Sequence, residues 1–102
     1  MLNMSNRLTH EGLLENLNTK FHVSADGASI LDLDLAEVSE LNTVGNQERF
    51  SLVFRGPRDR FLGQGIRSLE HEKLGQSEVF LVPIREDAES YYYEAIFNRF
   101  LK

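Results

Sequence analysis

From Ile30 to Leu35 the chain alternates without a break, placing Leu31, Leu33 and Leu35 on one side of an extended backbone and Asp32 and Asp34 on the other. A helix would scatter these leucines and aspartates around its surface, whereas a strand sorts them into a dry face and a wet one. A strand of this kind belongs to a sheet buried on one side only, which favours antiparallel pairing over a core.

The rest of the chain extends that reading. Thr9 to Asn18 is expected to be a short helix, with Thr9 as N-cap, Glu11 in the first turn and Leu13, Leu14 and Leu17 on one face. Strands follow at Phe21–Val23, Ile30–Leu35, Phe50–Phe54, Ile66–Glu70, Val79–Val82 and Tyr91–Phe97. Asp26-Gly27 is the strongest hairpin signal. After Leu35 the phase slips, because Val38 is even where the leucines are odd. Either a bulge near Ala36-Glu37 returns Val38 to the core, or the strand ends at Leu35. Val79-Phe80-Leu81-Val82 does not alternate and is expected to be covered on both faces.

The predicted fold is α+β: an N-terminal helix followed by about six strands in an antiparallel meander, curled into a small barrel or curved sandwich. Expected core residues are Leu14, Leu17, Phe21, Leu31, Leu33, Leu35, Phe50, Leu52, Phe54, Leu69, Leu81, Tyr93 and Phe97. With 102 residues, 1–102 is read as a single domain.

Composition removes several classes of function. No cysteine is present, so disulfide scaffolds, thiol catalysis and cysteine-ligated zinc are excluded. A net charge of −5 argues against nucleic acid as a partner. No apolar run approaches the ~20 residues of a membrane helix, and Met1 to Arg7 has neither the basic flank nor the apolar stretch of a signal peptide, so no membrane role and a cytoplasmic location are expected.

The ordered set Phe50-Ser51-Leu52-Val53-Phe54-Arg55-Gly56-Pro57, Gln64-Gly65, Leu69-Glu70-His71, Leu74-Gly75, Phe80–Ile84 and Tyr93–Asn98 resembles a family of small, mostly bacterial proteins known as a domain of unknown function. The likeness runs from about Leu8 to Asn98. It implies a compact β-rich domain with no assigned activity or catalytic residues, in a genetic neighbourhood of phage-tail-collar-like proteins.

Side-chain chemistry yields little. His10, His22 and His71 lack the close partners of a zinc signature, and Asp32 and Asp34 read as a solvated strand face, so neither metal nor cofactor is expected. Glu70 and His71 adjoin but point to opposite faces of a strand, leaving His71 a hydrogen-bonding role at a hairpin end. In Tyr91-Tyr92-Tyr93 the middle ring faces away from the other two.

Charge is segregated, however. Between Arg49 and Arg67 five arginines face one acid, a local +4, while the remainder carries −9. Gly56, Pro57, Gly63 and Gly65 bracket a connection of about nine residues, longer than a hairpin needs. Arg55, Arg58, Arg60 and Arg67, with Phe61 and Leu62 as apolar anchors, are the candidate binding residues for a protein partner with an acidic surface. The alternative has Phe61 and Leu62 closing the barrel end while the arginines pair with the chain's own acids.

The leading expectation for function is therefore a non-enzymatic interaction or structural accessory module, of a phage-tail-like or other multiprotein assembly. A small-ligand-binding β-barrel is the second, and an enzyme built on His71 the last. A homodimer is expected wherever the sheet leaves an edge.

Overall fold

The computed structural model describes residues 8–25 and 28–100. Helix α1 spans His10–Glu15, and seven strands follow: β1 Lys20–Ala25, β2 Ala28–Val38, β3 Asn42–Val44, β4 Gln47–Pro57, β5 Gly65–His71, β6 Gly75–Glu86 and β7 Ser90–Phe100. Neighbours run β2-β1-β5-β6-β7-β4, and pairing of β2 with β4 closes six strands into an antiparallel barrel. With one six-residue helix among them, the described residues are mostly antiparallel β, and the α+β expectation overstated the helix.

The helix begins as expected, with the Thr9 hydroxyl accepting from Gly12 N–H at 3.0 Å, but stops at the Asn16 cap rather than at Asn18. The Asn16 amide donates to the Gly12 carbonyl, and Asn18, at φ +64°, turns the chain into β1. So short a helix buries Leu13 completely but leaves Leu14 exposed, against expectation. The Asp26-Gly27 turn lies outside the described residues; Ala25 and Ala28 pair on either side of it.

The slipped phase after Leu35 is a bulge. Leu35 pairs with Phe54 and Glu37 with Val53, leaving Ala36 as the extra residue, and Val38 packs against the core. Val79–Val82 corrects in the other direction: Val79 and Leu81 are buried while Phe80 is exposed, because nothing among the described residues covers the outside of β6 there.

The meander is interrupted. β1, β2 and β4 are consecutive neighbours, as are β5, β6 and β7, but β4 and β5 lie across the barrel from each other. The seven-residue connection Arg58–Gln64 therefore bridges one end of the barrel. The small hairpin strand β3, not expected from the sequence, pairs among the described residues only with the start of β4 through Gly45-Asn46, with Gly45 at φ +61°.

Side chains fill the interior: Tyr93, Phe21, Phe54, Leu33, Leu35, Leu52, Leu69, Leu81 and Val23 are all fully buried. Leu31 and Phe97, expected in the core, pack only partly buried against it, as does Leu17. α1 covers the end opposite the crossing loop, with Leu13 inward and His10 edge-on to Phe50 at 5.1 Å.

Candidate functional site

The crossing loop is tied down from beneath. Leu62 turns inward and is buried, and its backbone N–H donates to the hydroxyl of the wholly buried Tyr93 at 3.0 Å. Desolvation is also the main reason the Tyr93 hydroxyl has a raised pKa. Arg67, on β5, donates to the Gly63 carbonyl at 2.7 Å and fixes the far end of the loop.

With Leu62 inside, its neighbour Phe61 is turned out, 59% exposed. Phe61 stands edge-on to Tyr91 at 5.0 Å, and the Arg58 guanidinium lies over the same Tyr91 ring at 4.9 Å. Arg58 also pairs with Glu86. The predicted residues thus divide. Arg58 and Phe61 meet at Tyr91, Leu62 and Arg67 anchor the loop, and Arg55 and Arg60 line a neighbouring cleft. Arg55 lies 3.6 Å from Asp34, and Arg60 donates to the Ile30 carbonyl. Part of the arginine charge is therefore answered within the chain, while Phe61 stays uncovered.

That cleft, about 450 Å³, opens on the barrel flank between Ile30–Asp34 of β2 and Arg55–Arg60. It exists because the β2–β4 ladder ends at Asp34–Arg55. The next rung would set Asp32 against Pro57, which has no N–H to donate.

Two histidines behave differently. His71 is buried at the β5–β6 hairpin, where Nδ1 accepts from the N–H groups of Lys73 and Leu74 at 3.0 and 3.1 Å. That leaves the proton on Nε2, which donates to the Thr19 hydroxyl at 2.8 Å, while Thr19 donates to the Asn16 carbonyl at 2.6 Å. The histidine joins the hairpin to the end of α1, as a hairpin-end hydrogen-bonding role requires, and Glu70 points away to solvent. Burial pushes the imidazole below its ordinary pKa.

The imidazole–carboxylate pair of the described structure is instead His22 with Asp32, at 2.6 Å on the exposed outer face. Sequence reasoning missed it because the two residues meet only through the β1–β2 register. The three tyrosines separate as expected: Tyr93 is inward, Tyr91 sits at the rim, and Tyr92 is turned out, donating to Asp87 at 2.9 Å.

The model of the domain-of-unknown-function family DUF6916 matches residues 8–97. The chain belongs to that family. The match includes all seven strands except the last residues of β7, and so takes in the whole DUF6916 barrel with its crossing loop. No curated protein and no solved structure matches this chain. Among the described DUF6916 residues, no cluster of three or more metal-ligating side chains forms, and no helix is long and apolar enough to cross a membrane.

Proposed function

We propose that this protein is a non-enzymatic interaction module that docks a protein partner at the barrel rim formed by the crossing loop. The observation that carries this reading is the Arg58–Phe61–Tyr91 cluster, in which an uncovered aromatic ring is held on a rigid base beside an arginine. Arginine and aromatic side chains dominate the binding energy of protein interfaces, and a pre-ordered anchor loses little entropy on docking. The filled barrel weighs in the same direction, since a ligand-carrying barrel needs interior space.

A multiprotein assembly is the setting in which such a module acts, and a phage-tail-like one is what the family resemblance implies. In a homodimer, the second copy would add at β3, which ends the strand order and exposes Val44.

The reading is tested by placing a benzophenone amino acid at position 61, or at exposed Glu40 as a control, in the cell of origin. A discrete protein adduct from position 61 and none from position 40 is expected. Failure of position 61 to crosslink any protein overturns the proposal.

A further inference from the structure

The cleft on the barrel flank is lined by charges in balance: Lys20, Arg55 and Arg60 against Asp32, Asp34 and Asp59. Four of the six are met within the chain. Asp34 lies between Lys20 at 3.3 Å and Arg55 at 3.6 Å, and Asp32 accepts from His22 Nδ1 at 2.6 Å. The other two are Asp59 and Arg60, and among the described residues neither belongs to an ion pair. Arg60 directs Nη1 to the Ile30 carbonyl, which leaves the Nε and Nη2 side of its fork without a partner among the described residues.

The two unmatched charges share one side of the cleft. Pro57 to Arg60 is a turn, closed by the Arg60 N–H on the Pro57 carbonyl at 3.3 Å, and both side chains line the cleft from it. The facing side is β2, which contributes Ile30 and Leu31. Both are only partly buried against the core, so the cleft has an apolar wall opposite one free carboxylate and one free guanidinium.

We propose that this cleft binds a free α-amino acid with an apolar side chain, its ammonium group on Asp59, its carboxylate on the open side of the Arg60 fork and its side chain against Ile30 and Leu31. A simple anion on Arg60 would be repelled by Asp59, and a simple cation on Asp59 by Arg60. An α-amino acid carries both charges on one carbon and answers both at once, leaving the balance of the cleft unchanged. Guanidinium binds carboxylate through two parallel N–H groups, and Nε with Nη2 is such a pair. The apolar wall selects a side chain that gains by leaving water, which glycine lacks. The inference goes beyond the interaction reading at the rim and does not rest on it.

The test is a titration of the ¹⁵N-labelled full chain with L-leucine, and with N-acetyl-leucine, leucinamide and glycine as probes lacking the ammonium group, the carboxylate and the side chain. Leucine should give a saturable shift of the Leu31 and Arg60 amides. Each of the three other probes should bind at least about tenfold more weakly, the scale of one charge-assisted or well-buried apolar contact. Asp59→Asn should abolish the preference for leucine over N-acetyl-leucine, and Arg60→Met the preference over leucinamide. No saturable shift in the cleft at about 10 mM leucine overturns the inference. So does equal binding of any of the three probes, or either preference surviving in its variant.

Discussion

The Leu62 N–H and the Tyr93 hydroxyl, 31 residues apart in sequence, meet at 3.0 Å and tie the crossing loop to the inside of the barrel. Tyr93 pairs with Phe54 across β4 and β7, so the loop is fastened to the centre of the sheet rather than to its margin. Phe61 owes its fixed outward position to this bond.

Tyr93→Phe keeps the ring and removes the acceptor, leaving the Leu62 N–H unpaired. A loss of about 1–3 kcal/mol is expected in urea unfolding, the cost of stranding a buried polar group. Amide exchange at Leu62 should accelerate more than exchange at core-strand amides.

Gly56 is buried where β4 passes closest to the interior. A Cβ there would stand 2.8 Å from Leu33 Cδ2 and 3.2 Å from the Tyr93 ring, both fully buried. Gly56→Ala should cost about 1–3 kcal/mol by overpacking. Gly63, where an added Cβ meets only Arg67 at 4.0 Å, provides the contrast. Gly63→Ala should stay within about 0.5 kcal/mol of wild type in the same assay.

His71 gives stability a pH dependence. Its pKa in the folded chain lies below the ordinary 6.5, chiefly through desolvation. The unfolded chain therefore takes up the proton first, and the stabilisation is complete above pH 6.5 and lost as pH falls from there toward the lower folded value. Denaturation midpoints should fall between about pH 7.5 and 5.5, and His71→Gln should flatten that part of the slope while lowering stability at the upper pH. An unchanged slope in H71Q would contradict the assignment.

Much of this architecture was legible wherever one face of a strand is dry. The alternation of Leu31, Leu33 and Leu35 located β2, and the even phase of Val38 left two readings, a bulge near Ala36-Glu37 or a strand end at Leu35, of which the bulge is found. Where no face is buried the pattern vanishes, which is why the wholly exposed β3 was missed. Phe80 misled for the converse reason: an apolar residue on an uncovered outer face imitates a strand buried on both sides. The crossing of the barrel by residues 58–64 leaves no periodic trace, since strand order is a long-range property. The arginine cluster was legible as charge, but not its division among Tyr91, Gly63 and the cleft, which depends on register. Phe61 and Leu62 were read as a pair, and the bond to Tyr93 sends one in and the other out.

Arg58 and Arg60 contribute little to stability, since the ion pair of Arg58 with Glu86 and the contact of Arg60 with the Ile30 carbonyl are both solvent-exposed. Arg58→Ala with Arg60→Ala should leave the melting temperature close to wild type while slowing association with an acidic partner and reducing its salt dependence. A melting temperature that collapses in this variant would show these contacts to be structural.

Recognition at the rim around Phe61 can be measured by titration calorimetry with the partner crosslinked from position 61, comparing wild type with Phe61→Ala. Kd should rise by at least about tenfold in F61A, the mark of an interface anchor, while the melting temperature is unchanged. An unchanged Kd in F61A would contradict it.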